Sequence, residues 1–239
     1  MRVLSWNLGH QTREALIRVG FTPALRALAP DVLVLNEFVD GPTRGDLRAL
    51  LRSLGLTHVH CSTRMGRHNQ VLIAAREECA LGELRGPRLE GGAGESNLLH
   101  VHFSSGVELV GLRAPTYERQ ARSEYWDNLS ALIRSTSLRP IAWVGDLNAD
   151  PDNHRSFGGK YLSNLEREGW LIPRAKGEWS FYRGSRIDHV LVSQALACTS
   201  AEYVHTLDGV SVAGPSVEDH VSDHAALLAT ISLKARSEP

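Results

Sequence analysis

Five short polar strings are spread along nearly the whole chain: SWNL, LNEF, GDLNAD, SRIDHV and SDHA. Four of them follow or close an apolar run that reads as a strand. They set Asn7, Glu37, Asp146, Asn148, Asp188, Asp223 and His224 close to where strands meet loops. Ligand sites in α/β proteins collect at the carboxyl ends of strands. Residues as far apart as Asn7 and His224 can share one site only if the fold brings both ends of the chain together, which predicts one domain over residues 1–239. Chemically the set is hard oxygen donors plus one imidazole, the equipment for a divalent cation that assists cleavage of a phosphate ester.

Composition permits a sizeable core and excludes little else. Of the 239 residues, 42% are hydrophobic and 22% charged, ordinary globular proportions. No apolar run approaches the roughly 20 residues of a membrane span. The chain opens directly on the strand-like MRVLSW, without a basic stretch and a long apolar one, so we expect no secretory leader and a cytoplasmic location. Cys61, Cys79 and Cys198 lack zinc-type spacing and read as reduced structural thiols. A net charge of −1 means that any phosphate-binding surface is local, since sequence-independent nucleic-acid binders show a basic excess. No protein partner is evident.

Patterning predicts about ten strands with a few helices between them, an α/β sandwich rather than one parallel sheet. Helical spacing covers residues 11–29, broken by Gly20 and Pro23, and then 46–54, 119–135 and 156–168. Strands are expected at 2–6, 31–35, 57–61, 70–75, 98–103, 107–112, 141–144, 187–192, 201–205 and 225–231. Residues 77–95, rich in Gly and Glu, read as turns or a hairpin loop.

Each string has a plainer reading. Asp146 and Asn148 after Gly145 could simply close a strand as an Asx turn, and Glu37 could be a strand-end acid meeting solvent. Asn7 could be an ordinary turn residue. What raises them together is their common topological position. Asp223 and His224, adjacent in sequence, serve as a pair only at a bend, which the polar loop 218–221 supplies. Asp188 offers an acid that could hold the His224 ring and favour its charged form. His189, next to it in a strand, points to the other face and is left out.

In this order the motifs resemble the endonuclease/exonuclease/phosphatase superfamily, from SWNL through PDVLVLNE, GDLNADP and SRIDHVLVS to SDHAAL. The resemblance implies a DNase-I-like four-layer sandwich, two stacked mixed β-sheets flanked by helices, with the site at one end. It implies Mg²⁺ (or Mn²⁺) held mainly by Glu37, with Asp223 and the Asn7 amide nearby. Asp146 would be the general base or water-orienter, Asn148 would steady phosphate or water, and His224, held by Asp188, would donate to a non-bridging oxygen. In-line attack by water needs no covalent intermediate and no organic cofactor.

Two departures stand out. Asn36 precedes Glu37 where the family commonly has Gln. Arg113 stands where repair endonucleases carry Tyr and many phosphatases His. A guanidinium cannot serve as acid or base near neutral pH but can grip two phosphate oxygens, so Arg113 is expected to clamp the scissile phosphate. Trp179, Phe181 and Tyr182 precede SRIDHV and are candidates to stack on a base or sugar, Trp179 and Tyr182 foremost, or else belong to the core. Arg64, Arg67 and His68, with Arg183 and Arg186, read as solvated charge unless a polyanion docks there. The substrate is read as nucleic acid, DNA or RNA. The alternative is a small phosphorylated molecule, a nucleotide, sugar phosphate or lipid headgroup. A dead binding scaffold is disfavoured because every acidic and amide position is intact.

Overall fold

The computed structural model describes residues 1–13, 17–39, 44–65, 68–89, 93–116, 118–216 and 218–235. The strands are β1 (Arg2–Asn7), β2 (Val32–Phe38), β3 (His58–Cys61), β4 (Gln70–Ala75), β5 (Cys79–Leu81), β6 (Leu98–Phe103), β7 (Glu108–Arg113), β8 (Ile141–Asp146), β9 (Asp188–Val192), β10 (Leu196–Val204), β11 (Thr206–Leu207), β12 (Val210–Ser211) and β13 (Ala226–Leu233). The helices are α1 (Phe21–Leu28), α2 (Arg44–Ser53), α3 (Ala93–Ser96), α4 (Arg119–Ser135) and α5 (Gly159–Arg167). One sheet runs β10–β13–β1–β2–β4–β3, the other β5–β6–β7–β8–β9, and β11–β12 is a small separate hairpin. Both large sheets are mixed: β1–β2 and β7–β8 pair in parallel among antiparallel neighbours.

The layers follow from period-2 alternation in strands buried on both faces. Along β2, Val32 and Val34 enter the core between the sheets, while Leu33 and Leu35 face the helices. In β8 the same rule sends Ala142 and Val144 inward and Ile141 and Trp143 outward. Phe21, Leu25 and Leu28 of α1 cover the first sheet, Phe21 stacking on Trp6 at 5.4 Å. Tyr125, Trp126, Leu129 and Ile133 of α4, with Leu162 and Leu165 of α5, cover the second. The result is the four-layer sandwich.

The predicted segment 11–29 is instead a short 3₁₀ turn (Gln11–Arg13) and α1. Pro23 falls in the first turn of α1, where a missing N–H costs nothing. Part of the expected helix, 14–16, lies outside the described residues, as does Arg67. The segment read as loop at 77–95 contains β5 and α3: Cys79–Leu81 pairs along Phe103–Val101 at the sheet edge. Cys61, Cys79 and Cys198 form no disulfide. Among the described residues no helix is long and apolar enough to cross a membrane.

Candidate active site

The alternation that builds the inter-sheet core also builds the site, because several inward-facing positions turn polar where their strands end. Inward Val3 leads along β1 to Ser5 and Asn7; Leu109 along β7 to Arg113; Val144 along β8 to Asp146; and Val190, read backward along β9, to Asp188. Register then sets Asp146 opposite both Arg113 and Asp188. Glu37 breaks the rule, since alternation alone would send it toward the helices. Its φ of 55° and a register shift between Leu35 and Phe38 redirect the chain there, and its carboxylate reaches the cleft. Left-handed backbone at a residue other than Gly, Asn or Asp is strained and concentrates at functional sites.

Asp146 is 1% exposed and held from three sides. Asn148 donates its backbone N–H to Oδ1 at 2.9 Å, and Asn7 donates its side-chain amide to Oδ2 at 2.9 Å, linking the two sheets. Asn7 in turn accepts the Gly9 N–H at 2.9 Å. Asn148, at φ 48°, donates its amide to the Ala114 carbonyl at 2.8 Å. Gly145 makes this turn possible: its φ is 151°, and a Cβ there would lie 1.8 Å from the Leu112 carbonyl oxygen.

His224 and Asp188 form a buried pair, Nδ1 to Oδ2 at 2.8 Å. Ser222 accepts the His224 N–H at 3.1 Å, and the Trp6 indole donates to the His224 carbonyl at 3.1 Å, fixing the bend. Burial opposes charge on the ring, but Asp188 overrides it, with Asp146 and Asp223 adding, and lifts its pKa to about 10. Burial and then the Asp188 charge push Asp146 up to about 6, against the pull of His224 and Arg113. Near pH 7 the arrangement therefore presents a carboxylate and an imidazolium side by side.

Arg113 is not a surface residue. Its Nε lies 2.8 Å from Glu37 Oε1, an ion contact without hydrogen-bond geometry, and 3.7 Å from Asp146 Oδ2. His10 Nε2 approaches the other Glu37 oxygen at 3.2 Å. Sequence reasoning missed His10; its signal was its place just past SWNLG, outside any strand-end pattern. Arg18 was missed too. It anchors on the Val221 carbonyl at 2.6 Å and lines the same cleft of about 300 Å³ as Glu37, Arg113, Asp146, Asn148 and Asp223.

Of the three aromatics, Phe181 is the one that lines the cleft, 5.0 Å from the His224 ring. Trp179 instead packs on the inter-sheet core and edges onto His205 at 4.2 Å. Tyr182 leans on Phe181 at 4.8 Å, and Arg183 donates to its hydroxyl at 2.9 Å. His189 is buried with Nε2 against the Ala149 and Arg186 carbonyls, both at 2.8 Å, outside the site. Arg186 is anchored on the Ala175 carbonyl, and Arg64 and His68 are exposed.

The donor set suits Mg²⁺. That ion keeps several waters and takes one or two carboxylates plus substrate phosphate, rather than a closed protein cage. Glu37 and Asp223 supply two carboxylates on one cleft, and Glu37 already meets the Arg113 guanidinium there.

The Endonuclease/Exonuclease/phosphatase family matches the chain over residues 4–224. Solved structures share the fold at low identity. An endonuclease/exonuclease/phosphatase from Beutenbergia cavernae is 18% identical at a TM-score of 0.73, over 97% of this chain and 71% of that one. An AP endonuclease from Archaeoglobus fulgidus is 18% identical at 0.68, over 98% and 100%. The 3′ phosphatase NExo from Neisseria, bound to a product DNA hairpin, is 20% identical at 0.66, over 97% and 99%. No curated protein matches the sequence.

Proposed function

The chain belongs to the Endonuclease/Exonuclease/phosphatase family, phosphoester hydrolases that are typically metal-dependent, and we propose that it is a divalent-metal-dependent phosphodiesterase acting on DNA or RNA. The observation that carries this reading is the convergence on one cleft of Asp146, Glu37, Asp223 and His224, whose ring is held by Asp188. Two structural neighbours point toward nucleic acid by what they are: an AP endonuclease, and NExo from Neisseria, described both as a 3′–5′ exonuclease and as a 3′ phosphatase bound to DNA.

In this reading Glu37 and Asp223 would hold Mg²⁺, with Asn7 as a further candidate ligand. When bound, the ion offsets charge on the phosphate or on the leaving oxygen. Asp146, fixed by Asn7 and Asn148, takes a proton from the attacking water; a pKa near 6 leaves it ionised at neutral pH yet basic enough to help. His224 donates from Nε2 to a non-bridging oxygen, with Nδ1 held by Asp188. Water attacks phosphorus in line, the ester P–O bond breaks, and the products are a phosphomonoester and an alcohol.

Arg113, beside Glu37 on the cleft, would bind the phosphate. Arg113→Ala is expected to lower turnover about 10²-fold, the scale for loss of one preorganised donor. Arg113→Lys, which keeps charge but not the fork, should recover only part. The exposed Arg183→Ala serves as control. Turnover near wild type in Arg113→Ala would reduce the residue to a partner of Glu37.

The deciding experiment is hydrolysis of bis-p-nitrophenyl phosphate and p-nitrophenyl phosphate with Mg²⁺, Mn²⁺ or EDTA, followed by DNA and RNA oligonucleotides. Metal-dependent diester cleavage is expected. Monoester cleavage alone would replace this reading with a phosphomonoesterase, which the crowding of Arg18, Arg113, His10 and His224 into one compact cleft also suits.

A further inference from the structure

A second cluster of ligating side chains lies at the opposite end of the five-stranded sheet. His100 and His102 are two apart on β6 and share its helix-facing side with Leu98, their ring centroids 4.4 Å apart. Glu108 opens β7 directly across from His102. Arg113 closes that strand five residues on, about 17 Å away at strand rise, so the cluster is separate from the cleft.

The two carboxylates meet the two rings in a matched way. Glu83 Oε2 is 3.0 Å from His102 Nε2 and 3.8 Å from His100 Nδ1. Glu108 Oε2 is 3.0 Å from His100 Nε2 and 3.8 Å from His102 Nδ1. Each imidazole thus turns one nitrogen to Glu83 and the other to Glu108. We infer that Glu83, His100 and His102 form a binding site for Zn²⁺, with Glu108 as the outer carboxylate that orients the His100 ring.

Ligating histidines characteristically donate their remaining ring N–H to a carboxylate, and Glu108 stands where that acceptor is needed. One ligand atom from each of Glu83, His100 and His102 already lies within 4.8 Å of the others. Tetrahedral zinc, with bonds of about 2.0–2.1 Å, sets ligand atoms about 3.4 Å apart, between the separations of 3.0 and 3.8 Å found here. Two imidazoles and one carboxylate select zinc over magnesium.

The surroundings agree. The His100 ring is buried between the two carboxylates. Arg139 grips Glu83 Oε1 at 2.6 Å and Glu108 Oε1 at 3.0 Å, steadying both carboxylates and leaving Glu83 Oε2 for the ion. One guanidinium against two carboxylates leaves the cluster net negative, which a divalent ion offsets. Gly82 lies over the face of the His100 ring, where a Cβ would fall 1.9 Å from Nδ1 and 2.4 Å from both adjoining carbons. The Leu84 N–H meets Nδ1 at 3.3 Å, a long contact that gives way to the ion. Glu83 and His102 side chains are 62% and 38% exposed, so the ion has a route in. Bound there, it clasps the segment after β5 onto β6.

Calorimetric titration of the EDTA-stripped full chain with ZnCl₂, in excess Mg²⁺, tests this. One Zn²⁺ per chain is expected for wild type and for Glu37→Ala, with a rise in Tm. His102→Ala and Glu83→Gln, both at solvent-reached positions, should weaken binding at least about tenfold and lose the Tm rise, while keeping the wild-type circular dichroism in EDTA. Loss of binding in Glu37→Ala would relocate the ion to the cleft and overturn the inference. Unchanged binding in His102→Ala, or no stoichiometric binding at all, would do the same. The outcome does not depend on what the cleft hydrolyses.

Discussion

Glu37→Gln is expected to lower metal-dependent phosphodiester hydrolysis about 10³-fold, and EDTA should bring the wild type down to the same floor. The reason is charge. Glu37 is 7% exposed, with one oxygen 2.8 Å from the Arg113 guanidinium and the other 3.2 Å from the His10 ring. A carboxylate buried this deeply is tolerated only while paired, and under the proposed function a divalent ion would be the partner of this one, which sits in left-handed backbone. A metal that polarises phosphate contributes several kcal/mol to the transition state, and about 4 kcal/mol corresponds to 10³ in rate. Glutamine keeps the shape and removes the charge, so the loss should appear as a raised metal requirement as well as a lowered kcat. Titration of activity against Mg²⁺ separates the two. If Glu37→Gln kept wild-type activity at the same Mg²⁺ concentration, the metal would have to be held elsewhere.

How much of this was legible beforehand depends on how local the cause is. Residues 70–75, 98–103 and 119–135 are bounded in the structure as their patterns predict, because alternation or helical spacing runs unbroken through them. Asn7, Asp146 and Asp188 were readable for the same reason: each continues the inward face of a buried strand. Strand β10 begins at Leu196, five residues before its predicted start at 201. It is an edge strand with a shift between Cys198 and Ser200, and its outward face mixes polar residues that hide the period. Strand β5 was hidden because a three-residue edge strand amid Gly and Glu has no period to detect. Likewise the left-handed turn at Glu37 leaves no mark in composition. His10 reaches the cleft through a loop at φ 61°, and Phe181 rather than Trp179 through the bend that pairs it with His224. Contacts made by loops across the sandwich are settled in three dimensions, and one-dimensional patterns do not carry them.

Asp188→Asn should be costly both to stability and to rate, and the pH dependence of stability identifies the cause. Asp188 is 1% exposed, with Oδ2 2.8 Å from His224 Nδ1. Removing one member of a buried ion pair typically costs about 3–5 kcal/mol, because the other charge is left uncompensated. His224, raised from 6.5 to about 10 in the fold, binds its proton more tightly folded than unfolded. Its contribution is therefore fully present below about pH 6.5, falls as pH rises by up to about 1.4 kcal/mol per unit, and is gone above about 10. Urea unfolding in EDTA at pH 6, 7, 8 and 9 should show the wild type losing stability across that window while Asp188→Asn stays nearly flat, the two curves converging at high pH. Parallel curves would mean that the pair is a neutral hydrogen bond. With the ring neutral, the donor to the non-bridging oxygen loses its charge, and turnover should fall about 10²-fold or more. The same substitution removes the negative neighbour that raises the Asp146 carboxyl and, with the ring neutral, the smaller positive influence that lowers it, so the acid limb of whatever activity remains should move only modestly to lower pH. A fall in rate with an unmoved acid limb would separate the positioning of His224 from the tuning of Asp146, and would leave burial alone to account for the basicity of that carboxylate.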